Sequence, residues 1–562
     1  MIVSDFIAQY LKKKKINDIF MLTGYGAMYL NDSIKKYNIE YYATRNEATA
    51  PIMAEAYSRA SGKIGVACVT AGPGATNAIP GLAEAYVDSV PIIVFSGQVD
   101  LNHTTYKTKS KTIRTFGTAE INIIPIVKPL TKYSKILTNP NHILYELEKC
   151  FHVCREGRPG PVWLDIPLNI QNSEINIKKL KKYKPKKEGN NFKKINNYSK
   201  RIISLINSSK NPLFIIGNGV KISDTFSEIN KISKKFKIPI IFTRGAQDLS
   251  SHENENIFEQ GGIKGSKYCK KIMKQADIVI NFGSRLAPQF VGHDFKAFEN
   301  ARIISIDIVK DELIKKGVKN YIKINENLKK FVPKFCKYAN KNINKKFNNW
   351  IKVCQILKNK NKFTFPSNNK NKLINLYDFM YFLGKSSPPK SVLITDAGSN
   401  YYIGGQVWKF KKKQKEITSL TNAAMGLSIP LSIGASVAMK KIPVFAVTGD
   451  GSLELNIQEL KTISHYKFEI NLFVINNGGY VSMHNWTDNY FKGRRVDSKQ
   501  LTGEGTLNLK NVAKAFDLPY FLIKQTNSLE KQIKDIIKRK GPKFIEVVTD
   551  NKQKIFDAFV DK

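Results

Sequence analysis

Short apolar runs alternate with stretches of helical periodicity along most of this chain, and the runs end at turns of Gly, Asn, Asp or Pro. In the first block the pattern predicts strands near Ile39 to Ala43, Gly65 to Thr70 and Pro91 to Ser96, with Gly72-Pro73-Gly74 opening a helix that contains Ala75 to Ala85. A middle block carries PLFIIGNG, IPIIFT, ADIVINFG and ARIISIDI. A last block has strands over Val392 to Thr395, Pro443 to Val447 and Ile470 to Ile475, with a helix from Ser452 to Tyr466 that turns Leu453, Leu460 and Ile463 inward. Strands that are apolar throughout and alternate with helices are the pattern of parallel sheets covered on both faces. The fold class expected is therefore α/β, with three doubly wound parallel-sheet domains. Two polar Lys/Asn segments, Ile177 to Ser199 and Lys337 to Lys372, read as linkers and divide the chain into domains over 1–172, 195–337 and 373–552. The uncharged stretch Thr421 to Met439 contains Pro430, Gly426, Gly434 and several Ser, which suits a buried helix better than a membrane span.

Composition adds compartment and excludes some functions. With 562 residues, 42% of them hydrophobic, the chain can fill roughly three or four cores of usual size. The six cysteines include no CxxC pair, so neither a zinc site nor a disulfide framework is indicated and a reducing cytoplasm is expected. MIVSDFIAQYLKKKK reads as an amphipathic helix and lacks the apolar core of a signal peptide. A net charge of +44 raises nucleic-acid binding as an alternative. The excess lies in Lys scattered among Asn and Ile, so a solvated exterior is expected, with neither a nucleic acid nor a membrane as partner. Anionic ligands would still be drawn by that field.

The chemistry concentrates at Gly449-Asp450-Gly451 and, after 24 intervening residues, Asn476-Asn477. Both motifs follow apolar strands. The first opens a helix, whose free N–H groups and positive dipole end favour phosphate oxygens. Asp450 offers a carboxylate, and Asn477 an amide oxygen, to a hard cation that would bridge to a diphosphate. Gly217-Asn218-Gly219 also follows a strand but lacks the third glycine and the acidic residue of a dinucleotide fingerprint, and so reads as an ordinary turn.

That spacing is the thiamine diphosphate signature, and the chain resembles the thiamine diphosphate-dependent family that includes acetohydroxyacid synthase. The resemblance implies pyrimidine-binding, central and diphosphate-binding domains in that order. It makes Asp450, Asn477 and the Gly479 carbonyl ligands of Mg²⁺. It also places Gly398, Ser399, Asn400, Gly449, Gly451, Ser452 and Tyr480 around the cofactor. TRNEATAPIMAEAYSRASGKIGVACVTAGPGATNA looks like the pyrimidine-binding region and makes Glu47 the activating acid, although on its own a Glu at a helix start is a capping residue. In SLTNAAMGLSIPLSIGASVA the wedge that bends the cofactor corresponds to Met425, and Ala423, where the synthases have glycine, offers its carbonyl. FAD, which the synthases hold in the middle block, remains possible here. Because the first and last domains of this family meet across subunits, a homodimer or homotetramer is implied.

GPGATN, DSVPIIVFSGQV, GRPGPVWLDIP and ADIVINFGSRL follow the succession of the synthases, which decarboxylate pyruvate and join the two-carbon unit to a second carbonyl. The chain departs from them at the acceptor side. Ala119 stands for the usual active-site Gln, Leu168 for a Lys, and Gln289 for the Arg that binds the acceptor carboxylate, while Trp486 keeps the position of the tryptophan that shapes the acceptor pocket. TGYGAMYLND, IVKPLTKYS and GGYVSMHNWTDNYF look more like a branch associated with surface-polysaccharide biosynthesis, in which the acceptor need not be a 2-keto acid. The expected function is a carboligase of the acetolactate-synthase type. A keto-sugar ligase, a 2-keto acid decarboxylase (disfavoured because the His-His pair that several decarboxylases use is absent) and a cofactor- or nucleic-acid-binding protein without turnover stand as alternatives.

Overall fold

The computed structural model describes residues 1–562 except 111, 187–188, 190–191, 252–253, 316–317, 319, 362–372, 498–502, 504, 525 and 556–562. Three six-stranded sheets follow one another along the chain, and every strand pairing in them is parallel. The first is built from β1 (Asp18–Met21), β2 (Glu40–Ala43), β3 (Gly65–Val69), β4 (Ile92–Gln98), β5 (Tyr133–Ile136) and β6 (Val162–Pro167), in the order β2-β1-β3-β4-β6-β5. The middle sheet takes β7 (Pro212–Ile216), β8 (Ile240–Phe242), β9 (Ile257–Gln260), β10 (Ile278–Phe282), β11 (Arg302–Asp307) and β12 (Tyr321–Asn325), in the order β12-β11-β10-β7-β8-β9. The last takes β13 (Val392–Thr395), β14 (Lys415–Thr418), β15 (Val444–Gly449), β16 (Ile470–Asn476), β17 (Tyr520–Ile523) and β18 (Lys543–Val548), in the order β14-β13-β15-β16-β18-β17.

The first and last sheets thus repeat one topology, which sequence similarity between the blocks does not reveal. In both, the chain leaves the first strand in one direction and returns on its other side, so a crevice opens outside the carboxyl ends of β1 and β3 and again of β13 and β15. The two units also share a core. Ala50, Met53, Val69 and Leu82 from one pack in the same cluster as Ile394, Ile429, Val444 and Leu453 from the other. The contact centres on the helices Thr49–Ser61 and Ser428–Met439. A Cβ at Gly434 would sit 2.1 Å from the Met53 carbonyl oxygen, so the two backbones approach as closely as glycine permits. This burial explains the uncharged stretch before Met439, and no helix among the described residues is long and apolar enough to cross a membrane.

Several sequence expectations need correction. Ser452 to Tyr466 is not one helix: it starts at Asp450, breaks after Glu454 and resumes over Leu460–Tyr466. The break turns Asn456 toward the Gly426 carbonyl at 2.8 Å and Glu459 into the interior. The helix of Ala75 to Ala85 is likewise split, into Pro73–Asn77 and Ile79–Val87. The two polar segments are not linkers throughout. Helices Phe192–Ser208, Leu328–Asn342 and Asn348–Lys360 occupy much of them, with Ile195, Phe335, Trp350 and Cys354 in the middle core. Lys and Asn cover their outer faces and mask the apolar stripe from a composition-based reading. Gly217 and Gly219 meet the turn after β10: their Cβ atoms would lie 2.3 Å from the Gly283 carbonyl oxygen and 2.9 Å from its Cα. All six cysteines are buried free thiols.

Candidate functional site

A cleft opens at the carboxyl ends of β13, β15 and β16, where the last sheet reverses its winding. It is lined by Gly398, Ser399 and Asn400 from the first turn, Gly449, Asp450, Gly451 and Ser452 from the second, and Asn477, Gly479 and Tyr480 from the third, with Met425 beside them. Three turns far apart in sequence therefore converge. Asp450 organises them. Its Oδ2 accepts from the N–H groups of Asn477, Gly478 and Gly479 at 3.1, 2.9 and 3.2 Å, and its Oδ1 from Gly451 N–H at 3.0 Å. Burial pushes the Asp450 carboxyl above its ordinary pKa, and these four donors pull it back. Asn477 Oδ1 is buried and has no hydrogen-bond partner. An orphaned amide oxygen beside a carboxylate at a helix start is a donor set that could hold a hard oxygen-seeking cation. Among the described residues no group of three or more His, Cys, Asp or Glu side chains is placed to hold a metal, so any cation here would need phosphate and water to complete its shell.

One sequence expectation changes at this cleft. Met425 does not sit in an apolar helix but in the turn before Ser428–Met439. Asn400 spends its amide N–H groups on Asp396 Oδ1 at 3.2 Å and the Val447 carbonyl at 3.1 Å, which leaves its unpartnered Oδ1, an acceptor, as what it can offer a ligand. Ala423 lies outside the cleft lining and adopts a left-handed φ of 50°, the conformation for which glycine is suited.

Asp396 is a residue that motif reading missed. Fully buried at the end of β13, it accepts from Thr448 Oγ1 at 2.8 Å and Ser452 Oγ at 2.7 Å, as well as from Asn400. Ser452 Oγ in turn accepts from Gly426 N–H at 2.8 Å. One carboxylate thereby ties together the turns that carry Asn400, Ser452 and Met425. The available signal was an Asp directly after a fully apolar strand, a costly place for a charge without several donors.

The first domain contributes a separate cluster. Glu47 lies in the turn just before the Thr49–Ser61 helix, half-buried, with its Oε2 accepting from Asn77 Nδ2 at 3.1 Å. Gly74 faces its other oxygen: a Cβ there would be 3.5 Å from Oε1. Gly72, at φ 56°, meets the Ala119 carbonyl, which lies 2.1 Å from where a Cβ would be. Ala119 is thus next to the turn that faces Glu47. The neighbouring Glu120 points inward and closes its loop by accepting from Thr105 N–H and hydroxyl at 3.1 and 2.8 Å and from Phe116 N–H at 3.1 Å. None of Glu47, Ala119, Gln289 or Trp486 lines the cleft of the last domain. Gln289 is exposed on Pro288–Val291, Leu168 is buried, and Trp486 is 57% exposed on Val481–Tyr490.

The domains are fastened close to the Met425 turn by buried charge. Glu84 accepts from Ser419 Oγ at 2.9 Å and Asn422 Nδ2 at 2.7 Å, and Asp88 from Leu420 N–H at 2.8 Å. Arg59 bonds Glu55 at 3.0 Å and the Thr418 carbonyl at 2.8 Å. Burial raises the Glu84 and Glu55 carboxyls above their usual range, against the pull of the Asn422 and Ser419 bonds on one and of Arg59 on the other.

Comparison with known proteins agrees with this geometry. Residues 1–120 match the N-terminal TPP-binding domain of thiamine pyrophosphate enzymes, 199–335 the central domain and 396–547 the C-terminal TPP-binding domain. The acetolactate synthase large subunit of Lactococcus lactis subsp. lactis is 29% identical over 97% of this chain and 92% of that protein. That of Porphyra purpurea is 29% identical over 91% and 85%. A probable acetolactate synthase large subunit of Methanocaldococcus jannaschii is 28% identical over 97% and 92%. With all three domain models in chain order and relatives matched over nearly its whole length, the chain belongs to the thiamine pyrophosphate enzyme family and is, within it, similar to the large subunits of acetolactate synthase.

Proposed function

We propose that this protein is a thiamine diphosphate- and Mg²⁺-dependent carboligase that decarboxylates pyruvate and passes the two-carbon unit to a carbonyl acceptor. The observation that carries this reading is the pair Asp450 and Asn477, whose buried, unpartnered Oδ1 faces the same cleft as a helix start suited to phosphate. Asp450, Asn477 Oδ1 and the Gly479 carbonyl would hold Mg²⁺, and the amide of Ser452 would face the diphosphate. Bound thiamine diphosphate supplies a carbon nucleophile and an electron sink for decarboxylation. Glu47 would hold a proton against the pyrimidine nitrogen with its Oε1, which has no hydrogen bond among the described residues, while Asn77 fixes Oε2. Met425 would brace the bend of the cofactor, and the Ala423 carbonyl would accept from its amino group.

Glu47 lies outside the cleft of its own chain, which supports a homodimer or homotetramer in which one copy brings Glu47 to the other's diphosphate site. FAD is not needed for this chemistry. Gly217-Asn218-Gly219 packs against Gly283 as an ordinary turn and offers no dinucleotide fingerprint, so the reaction is proposed without it. Six reduced, buried cysteines suit a cytoplasmic protein.

A neutral acceptor such as a keto-sugar is a second reading with its own support. Trp486 and Tyr490 stack with centroids 5.2 Å apart and planes 19° from parallel, on a helix whose first residues line the cleft. At 57% and 67% exposure they present a flat aromatic surface of the kind on which a sugar ring stacks. The deciding experiment supplies labelled pyruvate to the Mg²⁺- and thiamine diphosphate-loaded protein, alone and with 2-keto acids or keto-sugar nucleotides. Release of labelled CO₂ with a new carbon–carbon bond is expected. A protein that consumes no pyruvate but retards DNA in a low-salt gel would overturn the reading in favour of a binding protein.

A further inference from the structure

The turn that carries Glu47 is held from two sides: its own domain supplies the Met21 carbonyl to Thr44 N–H at 2.9 Å, Asn46 Oδ1 to Ala48 N–H at 2.9 Å and Asn77 to Glu47 itself, and the last domain adds a second set of bonds. Residues 44–48 join β2 to the Thr49–Ser61 helix, and that helix has no side-chain cap of its own at Ala48. Glu459, fully buried after the break in the 450–466 segment, brings an anion from the last domain to this turn. Its Oε1 accepts from Arg45 N–H at 2.7 Å and Thr49 Oγ1 at 2.8 Å, and its Oε2 is fixed by Thr462 Oγ1 at 2.7 Å. Seven residues on, the Tyr466 hydroxyl accepts from Ala43 N–H at 2.9 Å and is 3.4 Å from the Tyr41 carbonyl. Bonds from one short helical segment thus bracket Glu47 on both sides, at 43, 45 and 49.

We infer that Glu459 and Tyr466 form a positioning bracket for Glu47, setting where its carboxyl stands without touching a ligand themselves. The physical case is one of alternatives. A carboxylate with no solvent access is costly to bury unless its donors are fixed. Here those donors are the Thr462 hydroxyl, the amide two residues before Glu47 and the hydroxyl two residues after it, whose single proton is shared with the Asn46 carbonyl at 2.6 Å. Glu84 and Asp88 also fasten the two domains through buried carboxylates, but their donors across the interface lie in 419–422; Glu459 differs in that its donors stand on either side of Glu47. A polar bracket of this kind specifies a conformation rather than merely adding stability, and misplacing a catalytic group by about 1 Å can lower turnover by roughly a hundredfold. The inference rests on the reading of Glu47 as the activating acid, and the test separates the two.

The experiment compares Glu459→Ala, Glu459→Gln, Tyr466→Phe, Glu47→Gln and the double variant Glu47→Gln/Glu459→Ala in the full-length protein. It measures kcat and KM for pyruvate, affinity for thiamine diphosphate with Mg²⁺, and amide hydrogen exchange over residues 43–50 in the cofactor-free protein. Glu459→Ala should lower kcat by about ten- to a hundredfold, leave cofactor affinity within about twofold, and speed exchange at 43–50. Glu459→Gln keeps an oxygen where Oε1 accepts its two bonds and should rescue kcat to within a few-fold of wild type. Tyr466→Phe, which loses only a hydroxyl, should lower kcat several-fold and serves if Glu459→Ala does not fold. In the Glu47→Gln background the Glu459→Ala change should cost almost nothing further, because its effect passes through Glu47. Wild-type kcat in Glu459→Ala, or in Tyr466→Phe where the former is unfolded, overturns the bracket provided that Glu47→Gln is inactive. Losses that multiply in the double variant overturn it too. An active Glu47→Gln protein overturns the role of Glu47 and the bracket with it.

Discussion

Replacing Asp450 by Asn separates the two duties of that side chain. The carboxylate gathers four backbone N–H groups, three of them from 477–479, and is the only charged side chain in the proposed cation shell. Asn is isosteric. With its Oδ1 where Oδ2 stands it can still accept from 477–479, at neutral rather than charge-assisted strength, while its NH₂ opposes Gly451 N–H. Charge-assisted bonds are worth roughly 1.5–3 kcal/mol and neutral ones about 1, so the loop should lose on the order of 2–3 kcal/mol and remain in place. The cation loses far more. A unit charge about 4 Å away at an effective dielectric constant near 20 is worth ~4 kcal/mol, or close to a thousandfold in affinity. Asp450→Asn should therefore fold, with a modestly lower urea midpoint for the cofactor-free protein, yet bind thiamine diphosphate in excess Mg²⁺ at least a hundredfold more weakly by calorimetry. Chelation should reduce wild-type affinity to the level of the variant. Wild-type affinity in Asp450→Asn, insensitive to chelation in both proteins, would refute the cation site and leave Asp450 as a clasp for its loop.

Gly434→Val forces a side chain into the Met53 carbonyl and should lower the melting temperature sharply, by more than about 3 kcal/mol of stability, with no loss for substitution at the exposed Lys440 as control. Ala423→Gly relieves a left-handed backbone at φ 50° and should stabilise the cofactor-free protein by about 1 kcal/mol, read as a higher urea midpoint; a lower midpoint would contradict the strain. Asp165 is buried and burial raises its carboxyl to about 7, against the bonds from Ser96 and Gln98. Its folded pKa lies above the unfolded value, so its contribution is fully present below pH ~4 and is lost as pH rises through 7, at about 1.4 kcal/mol per unit. Asp165→Asn, which mimics the protonated form, should gain in melting temperature relative to wild type between pH 5 and 8; a pH-independent difference would show that Asp165 does not titrate there.

The sequence by itself determined the α/β class, the placement of strands such as β13 and β16, and the turns at 449–451 and 476–477 proposed to take the cation and phosphate. Each is a local matter: a fully apolar run bounded by turn residues needs a covered parallel sheet, and Gly-Asp-Gly at a helix start has the same chemistry in any fold. It did not reveal the helices in 192–208 and 348–360, because their Lys/Asn outer faces swamp a narrow apolar stripe. Nor did it reveal the break before Leu460, which arises because Asn456 and Glu459 find partners 30 and 410 residues away. The shared topology of the outer sheets, the hub at Asp396 and the bracket around Glu47 were decided only by tertiary structure. A buried carboxylate is tolerable only where the fold assembles its donors, and those donors come from segments that no local pattern connects.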